Sequence, residues 1–282
     1  MLRNGEFFRN VIVALPIYLF SSPNPNPITR EFPSSKKIDI SQYYLIKTLI
    51  STGDDFLTNI ELIKQLPNIE TLYLHMTNLY VLDLEFILID FDLPSIKSVY
   101  IINEVYDPYN RIDYSKIPNL EFLYIYNPNS FFPQLENLKT LYLDRDYMNG
   151  VGYQLNLSHL KSIETLHLDN VDDECRINLS NLNNLTSLTI IKAVGNYGNG
   201  CDISNIDFSG SYNIKNLDIS GVNIDIRHQP NTLIILKRLT NLITLKYYSG
   251  GELRGVTLKY LFLGGILQTR QQMLDFGIII RE

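Results

Sequence analysis

Residues 138–143 read LKTLYL, and residues 163–168 repeat the pattern as IETLHL. Each stretch has an apolar residue at its first, fourth and sixth positions and variable residues between them. In an extended strand, the fourth and sixth side chains point to one side and the third and fifth point to the other. A short strand with one buried side and one solvent side is therefore predicted at each stretch.

Copies of this pattern recur along most of the chain. The first residue of each copy, here called the anchor, is Ile46, Ile69, Ile96, Leu120, Leu138, Ile163, Leu185, Ile214, Leu242 or Leu258. Successive anchors are 23, 27, 24, 18, 25, 22, 29, 28 and 16 residues apart, about 24 on average. A repeat of this length predicts stacked coils, because one coil cannot bury its apolar side alone whereas stacked coils share a core.

The residues before the anchors add a second signal. Several copies carry apolar residues at steps of three, as in Leu157-Leu160-Ile163, Leu179-Leu182-Leu185 and Leu236-Leu239-Leu242. Such spacing turns a side chain inward at each bend of a tight coil. Other copies are preceded by a proline at Pro67, Pro94 or Pro118, a residue that removes a backbone donor where no ladder bond is yet wanted.

The pattern resembles the LxxLxLxxNxL motif of the leucine-rich-repeat family over residues 46–265. This resemblance implies an α/β-type solenoid, a horseshoe with a parallel concave β-sheet and an irregular or short-helical convex side. Residues 1–45 and 266–282 are then expected to be N-terminal and C-terminal caps around about ten coils. The family's usual Asn is replaced here by Thr77, Pro128, Asp146, Val171, Ala193 and Val222. We therefore expect irregular coils whose backbone groups are satisfied by local turns.

Stacking brings the same position of successive copies into rows about 4.8 Å apart. The second positions alternate in charge as Lys47, Glu70, Lys97, Glu121, Lys139 and Glu164. That alternation predicts an exposed ion-pair ladder, which opposes a slip of one coil because a slip would oppose like charges.

The fifth positions predict an aromatic row on the solvent side of the sheet. They read Tyr73, Tyr100, Tyr124, Tyr142 and His167 in successive copies, and Phe122 and Tyr126 widen the row. Stacked rings could simply stabilise the sheet. Tyrosine also offers rigid contact area and is enriched at interfaces. We favour a partner-binding face formed by these seven residues.

Other classes of function are disfavoured. A formal net charge of −6 gives no positive field for nucleic acid. No apolar run reaches the roughly 20 residues that span a bilayer. No histidine has metal-ligand neighbours at a suitable spacing, and His167 with Asp169 lacks a nucleophile. We therefore expect no metal, no cofactor and no enzyme activity.

The cellular context stays open in the sequence. Val11–Phe20 reads as a secretory signal or as a cap that packs on the first coil. Cys175 and Cys201 would form a disulfide in a secreted protein and remain buried thiols inside a cell. The glycosylation motifs at Asn156, Asn178 and Asn184 fall within the repeat framework, so glycan is expected only after secretion.

Three non-catalytic functions fit these features. The favoured one is an intracellular or particle-associated scaffold that binds a protein partner. The alternatives are a secreted or surface adhesion protein and, less favoured, an F-box-like substrate receptor. Abundant Asn, Ile and Tyr with only two alanines is typical of an A/T-rich genome, such as that of a protist, a microsporidian or a giant virus.

Overall fold

A computed structural model of the chain describes residues 11–14, 17–19, 47–52, 68–76, 94–103, 117–126, 134–144, 154–171, 175–192, 205–219, 230–247, 253–263 and 265–282. The chain divides into two compact units, residues 1–129 and residues 130–282.

The described residues of the first unit form one sheet. Its strands are β1 (Val11–Ala14), β2 (Ile17–Leu19), β3 (Thr48–Thr52), β4 (Thr71–Met76), β5 (Ser98–Asn103) and β6 (Phe122–Tyr126). They lie in the order β2-β1-β3-β4-β5-β6. Neighbours are parallel except β1 and β2, which form an antiparallel hairpin. The strand at residues 11–14 thus lies beside the strand of the first repeat copy.

The main sheet of the second unit has one strand from each of its six copies and one further strand after the last copy. These strands are β7 (Thr140–Asp144), β9 (Thr165–Val171), β11 (Ser187–Lys192), β13 (Asn216–Ile219), β14 (Thr244–Tyr247), β16 (Tyr260–Leu263) and β17 (Ile266–Leu267). They follow one another in chain order and are parallel up to β16, which pairs antiparallel with β17.

Two smaller sheets and two helices complete the described part of the second unit. Strands β8 (Gln154–Asn156), β10 (Arg176–Asn178) and β12 (Ile206–Asp207) form a parallel sheet, here called the small sheet. Strand β15 (Thr257–Leu258) pairs with β18 (Ile279–Ile280). The helices are α1 (Pro230–Arg238) and α2 (Arg270–Asp275). Neither described helix has the length and apolar character needed to cross a bilayer.

The ends of both helices follow from their sequences. Helix α1 starts with Pro230, which suits the first helical position because its missing N–H would have no partner there. It ends with Lys237 and Arg238, whose charges complement the negative end of the helix dipole. Thr269 and Gln272 form a capping box at α2.

The core forms where the repeat predicts it. Every anchor with a described side chain is at most 2% exposed. The fourth-position residues from Leu72 to Leu261 and the triplets Leu157-Leu160-Ile163, Leu179-Leu182-Leu185 and Leu236-Leu239-Leu242 are equally buried. Tyr247 occupies a sixth position and is completely buried. The two-sided strand is therefore confirmed for the copies from Ile69 onward, whose side chains are described.

The predicted register is also confirmed within each unit. Thr71 pairs with Ser98 and Ser98 with Phe122 in the first unit. In the second unit, Thr140 pairs with Thr165 and Thr244 with Tyr260, which places the copies at Leu138 and Leu258 as predicted. Second-position carbonyls fix this register, since each accepts two N–H groups of the next copy. Glu164 O, for example, accepts the Thr186 and Ser187 amides at 2.9 and 3.1 Å.

A polar column that the sequence analysis did not identify joins neighbouring coils. It consists of the Asn or Ser just before eight of the ten anchors and is called the pre-anchor column: Asn68, Ser95, Asn119, Asn137, Ser162, Asn184, Asn213 and Asn241. Asn119, Asn184 and Asn213 donate to the carbonyls of Pro94, Lys161 and Asn183 at 2.8, 2.9 and 2.7 Å. Each acceptor lies two residues before the preceding anchor, so the side chains bridge successive coils.

Local turns satisfy other backbone groups, as expected from the missing family Asn. After each strand of the small sheet, the side-chain oxygen of Asn156, Asn178 or Asp207 accepts the backbone N–H two residues later, at 3.1, 2.9 and 2.8 Å. These Asx turns place two of the three glycosylation motifs inside the repeat framework. Val171, which stands at a position where the family motif has Asn, is buried. The other five positions lie outside the described residues.

Candidate functional site

The first unit aligns three tyrosines of the predicted aromatic row. Tyr73 pairs with Tyr100 across β4 and β5, and Tyr100 pairs with Tyr124 across β5 and β6. The ring centroids are 5.8 Å apart in the first pair and 6.2 Å apart in the second, with interplanar angles of 30° in both. Residues 51 positions apart in sequence thus share one continuous surface, because parallel stacking repeats every side chain of the coil.

Phe122 and Tyr126 widen this surface on the same side of β6. Their side chains alternate with the buried Leu123 and Ile125, so they share the solvent side with Tyr124. The Phe122 ring lies 4.8 Å from the Tyr100 ring at an angle of 36°. Tyr100 is therefore the centre of the cluster, with aromatic contacts to Tyr73, Phe122 and Tyr124.

Every described ring of this cluster is half-buried rather than fully exposed. Strands are only about 4.8 Å apart, so each ring covers part of its neighbour. Burial raises the pKa of the Tyr73 hydroxyl above its usual value, so this group stays protonated at neutral pH. The cluster presents neutral rings that donate and accept hydrogen bonds.

Tyr142 and His167 form a second aromatic pair in the second unit. They pair across β7 and β9, and their rings stack with centroids 4.7 Å apart and an interplanar angle of 19°. The His167 Nε2 atom lies 3.9 Å from Asp169 Oδ2. The placement of His167 beside Tyr142 and Asp169 is as the sequence analysis predicted.

Further along this face, the fifth positions become charged. Asp218 pairs with Lys246 across β13 and β14, and their side chains form an ion pair of 3.0 Å. The solvent side of the second unit is thus aromatic at β7 and β9 and ionic at β13 and β14.

The charge column at the second position contains a formed ion pair in the first unit. Lys47 Nζ donates to Glu70 Oε1 at 2.7 Å, and both side chains are well exposed. The hydrogen bond from Lys47 lowers the pKa of Glu70 most, and the charges of Lys47 and Lys97 lower it further. The carboxylate is therefore held in its charged form, as an ion-pair ladder requires.

A cavity in the second unit adds residues that the sequence analysis did not single out. It has a volume of about 330 Å³ and lies between β12 and α1, with Tyr212 and Arg238 among its lining residues. Tyr212 and Arg238 are 26 positions apart and belong to no shared motif, so the sequence carries no signal that pairs them.

The described residues contain no cluster of three His, Cys, Asp or Glu side chains that could hold a metal ion. Cys175 is buried. Cys201, His228 and the side chain of His75 lie outside the described residues. A disulfide between Cys175 and Cys201, expected only in a secreted protein, therefore also lies outside them.

No family model matches this chain. No curated protein matches it either. A solved structure described as the crystal structure of a TLR13–ssRNA13 complex is similar over 76% of this chain and 35% of that chain, with 16% sequence identity and a TM-score of 0.37. The chain thus spans about a third of that protein's length. Similarity at this level supports no inference about fold or function.

Proposed function

We propose that this chain is a non-catalytic leucine-rich-repeat module that binds a protein partner through the solvent face of its parallel sheet. The horseshoe curvature implied by the family resemblance would make this face concave. The binding residues are the aromatic cluster of Tyr73, Tyr100, Phe122, Tyr124 and Tyr126, with Tyr142 and His167 on the second unit.

The contacts of Tyr100 carry the proposal. Its ring meets three aromatic neighbours at 4.8–6.2 Å, and all four rings keep part of their surface in solvent. Rings held in this way lose little conformational entropy when a partner covers them. The rings supply apolar contact area and the tyrosine hydroxyl groups supply hydrogen bonds, a combination typical of interface cores.

The electrostatics favour a protein over a nucleic acid as the partner. The chain has a formal net charge of −6, and the cluster itself is uncharged at neutral pH. An RNA-binding face of stacked rings requires cations beside the rings to hold the backbone. The only charged row next to this cluster in the described residues alternates in sign, from Lys47 and Glu70 onward.

The double substitution Tyr100→Ser/Tyr124→Ser tests this function. The tagged variant and the wild type are each used to capture proteins from a lysate of the source cells, followed by mass spectrometry. We expect the double variant to capture at least tenfold less of the proteins that the wild type retains, since the centre of the contact area is removed.

Leu274→Ser is the control, because Leu274 is 49% exposed and lies on α2, outside both the sheet face and the cavity. It should capture the same proteins as the wild type. Circular dichroism melting should show cooperative unfolding of all three proteins. Equal capture by a folded double variant would refute the proposal, and loss of cooperative unfolding would make the aromatic row a purely structural element.

A further inference from the structure

The cavity of the second unit lies at the edge of the small sheet. Its walls are the backbone of residues 205–209 on one side and the last turn of α1 on the other. Phe208 and Leu239 line it as buried apolar side chains, whereas Tyr212 and Arg238 are exposed. Its volume of about 330 Å³ is at the small end of the range for ligand pockets, about 300–1,000 Å³.

The cavity exists because consecutive coils change their secondary structure. Three coils contribute β8, β10 and β12 to the small sheet, and the next coil contributes α1 instead. Neighbouring strands lie about 4.8 Å apart, whereas a helix with its side chains is about 10 Å wide. The helix cannot approach the sheet edge as closely as a fourth strand would, and a gap remains beside β12.

The edge of β12 that faces away from β10 still has backbone groups to offer. The carbonyl of Asp207 accepts the Leu179 amide at 2.9 Å, and that of Ser209 accepts the Asn181 amide at 2.7 Å. Because successive residues of a strand alternate in direction, Ile206 and Phe208 point their backbone groups to the opposite edge. The Phe208 carbonyl accepts the Ser211 amide. No other described strand pairs with this edge, which leaves the Ile206 amide and carbonyl and the Phe208 amide for an added strand.

The charges at the cavity favour an acidic ligand. Arg238 is exposed, and no described residue forms an ion pair or hydrogen bond with its guanidinium. Asp207, the acid at the same cavity, already accepts the Ser209 amide at 2.8 Å through its carboxylate. The guanidinium of Arg238 can therefore donate two parallel hydrogen bonds to a carboxylate of a ligand.

We propose that this cavity binds an extended, acidic peptide segment of a protein partner, which adds as a fourth strand to β12. The added strand takes ladder bonds from Ile206 and Phe208, and its carboxylate binds Arg238. This mode of recognition combines main-chain affinity with side-chain specificity. It is a second contact surface and does not depend on the aromatic cluster.

The chain's own strands indicate what the added segment requires. The central residues Leu155, Ile177 and Ile206 are aligned by strand pairing and are all buried. A fourth strand in register would put its own apolar residue next in this row, where Ile235 and Leu239 line the cavity. The expected segment is a short extended stretch with one apolar residue flanked by acidic side chains.

Two synthetic peptides based on β10 test the proposal with the full-length chain. One is acetyl-EINLSE-amide, and the other is acetyl-KINLSK-amide. Binding is followed by NMR chemical shifts of the backbone amides. We expect the acidic peptide to bind at least tenfold more tightly than the basic one and to shift the Ile206 and Phe208 amides most.

Arg238→Glu should weaken binding of the acidic peptide by about tenfold or more and reverse the preference between the two peptides. Lys259→Glu is the matched control, because it makes the same change of charge at an exposed residue that does not line the cavity. It should leave the preference for the acidic peptide in place.

An acidic peptide that is N-methylated at the backbone nitrogen of its asparagine separates strand addition from simple ion pairing, because in the proposed register this N–H donates to the Ile206 carbonyl. It lacks one ladder donor and should bind at least fivefold more weakly than its parent. Equal binding of the two would overturn the proposal, as would unshifted Ile206 and Phe208 amides. Protection of the Phe208 amide from hydrogen exchange in the free protein would also overturn it, because the edge would then already be occupied.

Discussion

At the scale of single residues, the positions that break the repeat are the informative ones. Ser211 lies three residues before the anchor Ile214, where other copies have Leu160, Leu182 or Leu239. It is completely buried, and its hydroxyl connects two backbone groups of the preceding coil. Ser211 Oγ donates to the Leu179 carbonyl at 2.5 Å and accepts the Leu182 amide at 2.7 Å.

Ser211→Ala should destabilise the protein by about 1–3 kcal/mol, because the buried Leu182 amide loses its acceptor. Urea unfolding followed by circular dichroism measures this change. Ser209→Ala is the control, since Ser209 is exposed and its contribution to the Asp207 turn comes from its backbone amide. We expect a change below about 0.5 kcal/mol for the control. Equal stabilities of wild type and Ser211→Ala would contradict this account of Ser211.

At the scale of secondary-structure elements, the strands are held in register by two kinds of bond between coils. The carbonyl groups at the second position accept two backbone amides of the next coil. The side chains of the pre-anchor column, two residues earlier in each copy, donate further hydrogen bonds between coils. In the described coils, Asn and Ser side chains before the anchor thus serve where the family resemblance implied a buried Asn after the strand. The polar side chains that join successive coils thus lie before the strand of each copy.

Asn184→Ala should lower the free energy of unfolding by about 0.5–1.5 kcal/mol, because the bond from its side chain to the Lys161 carbonyl is lost. Asn183→Ala offers a control at the neighbouring position, since the Asn183 side chain is exposed and its carbonyl, which accepts from Asn213, stays in place. Thermal melting of both variants gives the comparison. A larger loss at Asn183 than at Asn184 would show that the column does not stabilise the coils.

At the scale of the whole molecule, the charge distribution decides which partners are accessible. Of the charged residues, 24 are Lys or Arg and 30 are Asp or Glu. Two opposite-charge pairs form locally in the described residues, Lys47–Glu70 and Lys246–Asp218. A formal net charge of −6 gives no overall attraction for a phosphate backbone.

A labelled single-stranded RNA oligomer should therefore bind with a dissociation constant weaker than about 100 µM at about 0.15 M salt. Fluorescence anisotropy measures this affinity, with a basic RNA-binding protein as the positive control. Micromolar binding that weakens steeply with added salt would contradict the proposal of a protein partner.

The sequence by itself determined the coil and its register. Apolar residues recur at the anchor, fourth and sixth positions about every 24 residues, and stacking of the copies buries them. Because side chains alternate along a strand, the third and fifth residues then face solvent. The aromatic pairs Tyr73–Tyr100 and Tyr142–His167 followed from that assignment alone, because residues at equivalent positions of adjacent parallel strands must be neighbours.

Only the tertiary structure decided which groups meet where the repeat is broken. The replacement of a fourth small-sheet strand by α1 brings Arg238 beside Tyr212 and leaves the edge of β12 open, and no periodic pattern encodes that encounter. The sequence did not predict the hydrogen bonds of the pre-anchor column for a related reason. Their acceptors are backbone carbonyls, which every residue possesses, so no residue type marks them. Side-chain identity marks a periodic position, whereas the partner of a backbone group or of a non-periodic side chain depends on how the coils are packed.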